Sequence, residues 1–224
     1  MLGYAKFLTL FSAAIRTSVN THFDNSLLED LTCNDALIAG VDEVGRGALF
    51  GPVVAAIVVL PLSDVPQLVA LGVADSKKLS QPKREELIEP IKKLVTDWRI
   101  CSASVAEIDK LNILQASLLA MRRCVVNLSI SPTLCLVDGK FAIPNLEITQ
   151  KTVIKGDLRS PVIAAASILA KVWRDEMIIE LAQKYPEYDL ANNKGYPTVK
   201  HRLAIGQYGR SPEHRRFFKS CSNL

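Results

Sequence analysis

An apolar run from Ala36 to Val44 carries two adjacent carboxylates, Asp42 and Glu43, near its end and passes straight into Gly45-Arg46-Gly47. A second apolar, β-branched run follows from Pro52 to Leu60, so the chain is committed early to a strand pair joined by a glycine-rich turn. Side chains alternate faces along a regular strand, so Asp42 and Glu43 are expected to share a direction only if the strand breaks there. Gly45 and Gly47 make such a break easy, because glycine tolerates backbone angles closed to other residues. Carboxylates beside a backbone that a ligand can approach closely are what magnesium-dependent phosphoryl-transfer chemistry requires. An Asp-Glu pair alone reads more simply as a strand ending in a solvated acidic turn, and it is the rest of the chain that favours the site.

The rest of the chain alternates elements. Ser80 caps a predicted helix over Pro82 to Val95, whose apolar stripe runs through Leu87, Ile88, Ile91 and Leu94. Trp98 to Val105 is a predicted third strand, and Ala106 to Leu128 has helical period throughout. Thr133 to Val137 is a short buried strand running into Asp138-Gly139, and Glu147 to Ile154 alternates as another strand. Ser160 caps a long helix with Pro161 at its first position, ending near Tyr185-Pro186. Small residues from Ala164 to Ser167 would let that helix lie close to a sheet. A polar loop, Glu187 to Pro197, then leads to one or two short basic helices. The predicted class is α/β, a mixed sheet flanked by helices. Residues 1–35 form an N-terminal extension with a possible short helix around Tyr4 to Val19, 36–186 the main domain, and 187–224 a basic C-terminal helical segment.

Charge is unevenly spread along the chain. From Asn192 onward there are seven Lys or Arg against Glu213 alone, whereas residues 1–36 hold two bases and four acids. A basic segment opposite an acidic cluster suits a polyanionic ligand near a metal site, although a solvated charged tail has the same composition. The five cysteines show no paired spacing, so reduced thiols and a cytoplasmic setting are expected. The apolar stretch Phe7 to Ile15 is far too short to span a membrane, and no convincing basic leader precedes it.

Four carboxylates fall where strands end or helices begin: Asp42, Glu43, Asp138 and Asp157. Singly, Asp138-Gly139 reads as a turn and Asp157 as a complement to a helix dipole. Together they offer enough hard oxygen ligands for two divalent ions. Zinc is disfavoured, because neither Cys nor His is placed to join them. A dinucleotide loop is also disfavoured: Gly51 comes one position late for Gly-x-Gly-x-x-Gly, and a strand, not a helix, follows.

Several ordered blocks resemble bacterial ribonuclease HII, the type 2 ribonuclease H family, over roughly Ala36 to Phe218. They are Gly40 to Gly47 with Gly51 to Ala56, Asp75 to Ser80, Ile108-Asp109 with Asn112 to Leu114, and Val137 to Gly139. Lys155 to Asp157, Ala164 to Val172 with Arg174-Asp175, and Asn193 to Thr198 with His201 complete the set. The resemblance implies a ribonuclease H-like fold with a central five-stranded mixed sheet, flanking helices and a small C-terminal helical portion. It implies an endonuclease that hydrolyses RNA in RNA–DNA hybrids and cuts 5′ of ribonucleotides embedded in duplex DNA, leaving 5′-phosphate ends. Asp42, Glu43, Asp138 and Asp157 then become the catalytic and metal-ligating set. They would hold Mg2+ or Mn2+, with two ions about 4 Å apart serving the attacking water and the leaving oxygen.

The Gly45-Arg46-Gly47 turn and Tyr196 match positions that sense the ribose 2′-hydroxyl and the adjoining deoxynucleotide. Lys77, with Lys78, Lys171 and Lys194, is a candidate phosphate contact. A monomer without membrane attachment is expected. Pro161 and Phe217 depart from the family pattern, Phe217 standing where a small polar residue is usual. Two other classes share parts of this pattern: a resolvase or transposase with the same acidic core, and a nucleic-acid-binding module without catalysis. The first would lack the 2′-hydroxyl sensor, and the second would bind hybrid duplex without cutting it.

Overall fold

The computed structural model describes residues 36–73 and 79–218. The expected helix around Tyr4 to Val19, and Lys77 with Lys78, lie outside the described residues. Five strands form one sheet: β1 (Leu37–Val44), β2 (Val53–Pro61), β3 (Asp97–Ala103), β4 (Leu134–Asp138) and β5 (Gln150–Val153). Their order is β3-β2-β1-β4-β5. The first three form an antiparallel meander, while β4 and β5 run parallel to β1. β1, β2 and β4 were legible as apolar runs, and the sheet is the expected mixed one.

Helices cover both faces. Between β2 and β3 lie α1 (Val65–Ala70) and α2 (Gln81–Leu94), and between β3 and β4 lie α3 (Val105–Leu111) and α4 (Ile113–Val126). After β5 come α5 (Gly156–Arg159), α6 (Pro161–Lys184), α7 (Leu190–Asn193) and α8 (Val199–Tyr208). Ile38, Val58 and Leu136 pack on α6, α1 and α2, while Ala39, Val41, Ile57 and Val137 pack on α3 and α4. The alternation along each strand therefore fills two cores. Each fully buried Leu or Ile contributes about 1.5–3 kcal/mol.

The central helix α6 sits tightly on β1. Residues Pro161 to Ala170 are all buried, so its first three turns have no solvent face. A Cβ built on Gly40 would lie 2.5 Å from the Val162 carbonyl carbon, so only glycine lets strand and helix meet here. Ser160 caps α6 through its hydroxyl and Pro161 occupies the first turn, as expected.

Three expectations about elements need correction. The periodic stretch Ala106 to Leu128 is two helices, because Asn112 takes φ +76° and its side chain caps α4 by accepting the Gln115 amide at 3.1 Å. The strand expected over Glu147 to Ile154 pairs only from Gln150 to Val153. Gln150 also binds the Ile143 amide (2.8 Å) and carbonyl (3.0 Å), tying down the loop that the pattern suggested was strand. Finally, α1 was not foreseen. It follows Pro61 and a 3-10 turn, Leu62–Asp64, too short for any period to register.

Candidate active site

The site forms where two parallel strands part. Val41 is the last residue of β1 that pairs with β4, opposite Val137. Beyond it, Asp42 and Glu43 remain paired to β2 alone, opposite Ala56 and Ala55, and Asp138 ends β4. The strand does not break at Asp42-Glu43, contrary to the alternation argument. Their carboxylates converge all the same: Asp42, Glu43 and Asp138 each place one oxygen within 4.8 Å of the others. The means is local. The Asp42 carboxylate folds back to accept the Glu43 amide at 2.7 Å.

Supports hold each carboxylate. Asp42 also accepts a hydrogen bond from Ser167 on α6. Asp138 accepts the Gly156 amide at 2.6 Å, which ties β4 to the start of α5. Glu43 pairs with the Arg46 guanidinium at 2.9 Å. Burial pushes the Asp42 carboxyl well above its ordinary range, and the charges of Glu43 and Asp138 push it further. Burial raises Glu43 too, with Arg46 opposing. Three acids forced together in a buried pocket are therefore short of positive charge, which a divalent cation supplies. All the donors are hard oxygens, so the set fits Mg2+ or Mn2+ better than a softer metal. Asp157 is buried at the first turn of α5, next to Gly156 but outside the 4.8 Å group.

The turn after β1 faces Tyr196. A Cβ built on Gly47 would lie 4.0 Å from the Tyr196 ring, with open space otherwise. Gly45 has a different neighbour. Its φ is +89°, and a Cβ there would lie 2.2 Å from Nε of Arg174. Arg174, fully buried on α6, donates to the carbonyls of Pro52 (3.2 Å), Phe50 (3.1 Å) and Lys194 (2.9 Å). Its guanidinium also stacks 5.5 Å from the Tyr196 ring centre. Arg215, equally buried, donates to the carbonyls of Arg46 (3.0 Å) and Gly51 (2.9 Å).

Ser167, Arg174 and Arg215 were not singled out for these roles from the sequence. A serine ending an alanine run and an arginine within a buried helix were the available signals for the first two. Arg215 is thus a buried member of the basic segment, and Lys200 of that segment pairs with Asp189 at 3.0 Å. Lys171 pairs with Asp175 at 2.8 Å and lies 5.6 Å from the Tyr196 ring centre.

The ribonuclease HII family model matches residues 39–221. The chain belongs to the ribonuclease HII family. It is 59% identical to a ribonuclease HII of Trichormus variabilis, covering 83% of this chain and 82% of the relative. Against that of Acaryochloris marina it is 60% identical, covering 82% and 93%. The solved ribonuclease H2 of Pyrococcus horikoshii superposes with a TM-score of 0.70 at 30% identity, covering 83% of this chain and 95% of that one. The chain is thus a ribonuclease H enzyme, an endoribonuclease of RNA–DNA hybrids, in a family that depends on divalent metal. Among the described residues no helix is long and apolar enough to cross a membrane.

Proposed function

We propose that this ribonuclease HII also cuts on the 5′ side of single ribonucleotides embedded in duplex DNA, leaving 3′-hydroxyl and 5′-phosphate ends. The observation that carries this reading is the juxtaposition of the converging acids with Gly47 facing Tyr196. Asp42, Glu43, Asp138 and Asp157 would hold Mg2+ or Mn2+. The bound cations would lower the barrier by polarising the attacking water and neutralising charge on the leaving oxygen.

This chain's residues do the rest. Ser167 and the Glu43 amide aim the Asp42 carboxylate, and the Gly156 amide aims that of Asp138. Gly47 leaves its backbone open to a 2′-hydroxyl, the group that distinguishes ribose from deoxyribose. Tyr196, half-buried, offers its ring to the following sugar. We propose that the protein acts as a monomer. We retain 36–186 as the catalytic domain and 187–224 as a basic segment completing the substrate face.

Cleavage of a DNA duplex containing one ribonucleotide, beside an all-DNA duplex and with metal added or chelated, tests the proposal. Metal-dependent cutting of the first duplex alone is expected; cutting of both would favour a resolvase-like nuclease. Within that assay Tyr196→Ala should lower the single-turnover rate severely and Tyr196→Phe only modestly, because the ring is a large rigid apolar face. Equal damage from both changes would mean that the hydroxyl's hydrogen bond dominates instead. The surface charges of Lys194, Arg202, Arg210 and Arg216 should add duplex affinity through counterion release. Replacing all four with Gln should flatten the slope of log affinity against log salt by about 0.7–0.9 for each phosphate that is no longer neutralised. An unchanged slope would make the segment a solvated surface.

A further inference from the structure

We infer that His201 and His214 are positioning residues for substrate recognition, acting through the backbone of Tyr196. The inference rests on the reading of Tyr196 as the residue that meets the sugar. Both histidines are buried, His201 at 0% and His214 at 2% exposure. Their Nε2 atoms lie 3.1 Å apart. His214 Nδ1 accepts the Ser211 amide at 3.0 Å, with the Ser211 hydroxyl at 2.9 Å, and His201 Nδ1 lies 2.9 Å from the Tyr196 carbonyl oxygen.

The two ends of this chain of hydrogen bonds are backbone groups with fixed roles, which assigns every proton between them. An amide can only donate, so His214 Nδ1 carries a lone pair and a neutral His214 has its hydrogen on Nε2. That hydrogen points at His201 Nε2, which must accept. His201 then carries its hydrogen on Nδ1 and donates it to Tyr196, whose carbonyl can only accept. One pair of tautomers satisfies all three links, and both rings must be neutral for it to exist. Burial pushes both histidines below their ordinary value, His214 to about 4, so they are neutral at physiological pH. Phe50 and Tyr188 pack edge-on against His214, at centroid distances of 5.1 and 4.6 Å, and hold its ring in the plane the relay needs.

The relay fixes Tyr196 within the substrate face. The Tyr196 carbonyl also accepts the Thr198 amide at 2.8 Å, and its own amide donates to Asn193 at 2.9 Å, so both flanking peptide planes are set. The next residue after His214 reaches the other half of that face. Arg215 binds the Arg46 carbonyl at 3.0 Å, its amide donates to Leu49 at 2.9 Å, and the Glu213 carbonyl accepts the Gly51 amide at 2.9 Å. Residues 213–215 therefore place Tyr196 and the glycine turn in one frame.

A double-mutant cycle on the full chain tests this. His214→Asn keeps an acceptor for the Ser211 amide, but its NH2 stops short of His201 Nε2, whereas the longer side chain of His214→Gln carries its NH2 to that position. On a duplex with one ribonucleotide, His214→Asn should lower kcat about tenfold with KM changed less than threefold, and His214→Gln should recover most of that loss. In a Tyr196→Ala background, His214→Asn should lower kcat less than twofold further. If the two losses multiply instead, the histidines only stabilise the fold and the inference is overturned. If Tyr196→Ala alone cuts at the wild-type rate, the reading of Tyr196 has failed and this inference falls with it. Should His214→Asn fail to fold, His201→Leu, which removes the donor at the Tyr196 end, enters the same cycle with the same expected non-additivity.

Discussion

Asp42→Asn is expected to lower cleavage at least a hundredfold and, at the same time, to make the metal-free protein harder to melt. The substitution keeps the size of the side chain and the oxygen that accepts the Glu43 amide, but it removes a ligand charge from the converging trio. The stability gain follows from the direction of the Asp42 shift. Burial and two neighbouring carboxylates raise its pKa above the ordinary 3.8. A group raised on folding contributes stability that is complete below its unfolded pKa and is lost as pH rises through the folded one. The wild-type apo protein should therefore weaken as pH climbs from about 4 toward the elevated Asp42 value, and Asp42→Asn should not share that part of the loss.

Each kcal/mol is worth about 2–4 °C in a fold of this size. A melting-temperature gain of several degrees is expected near neutral pH without metal, shrinking in acid. Added Mg2+ should raise the wild-type melting temperature more than that of Asp42→Asn. A variant that stays active, or one that melts lower than wild type at neutral pH without metal, would contradict the ligand assignment or the electrostatic account respectively.

The second large effect is expected at Gly45. Gly45→Ala meets a positive φ and a collision with Arg174, whose guanidinium cannot swing away without abandoning three carbonyls. Overpacking and backbone strain of this kind cost about 2–4 kcal/mol together. Thermal denaturation should show a loss of about 4–16 °C, with cleavage reduced at least tenfold. Gly47→Ala should be milder in stability, because its Cβ would meet the Tyr196 ring only at ordinary contact distance. A Gly45→Ala protein that melts like wild type would mean that Arg174 has a second resting place.

These two positions mark how far the sequence could be read. β1, β2 and β4 were legible because each is a nearly continuous apolar run, and the acids were legible because they punctuate the ends of β1 and β4. Asn112 was not, since helical period runs unbroken through it and only its left-handed backbone divides α3 from α4. The two glycines of the turn looked alike in sequence, both suited to a close-approaching ligand. In the structure Gly47 opens toward Tyr196, while Gly45 makes room for a side chain of this same protein. Arg174 and Arg215 escaped because their partners are carbonyls, which any residue carries and no sequence pattern marks. The proton order of the histidine pair depends likewise on a backbone amide and a backbone carbonyl.

The frame around residues 213–215 also sets an order of events at the ribosome. Asp42, Glu43 and Asp138 leave the exit tunnel long before Arg215, and a chain growing at about 5–20 residues per second spends seconds in that state. During that interval the Arg46 carbonyl has no guanidinium to hold it and the Tyr196 carbonyl no completed relay. The acids proposed to hold the metal are therefore laid down first, and the surface proposed to tell ribose from deoxyribose is braced only afterwards.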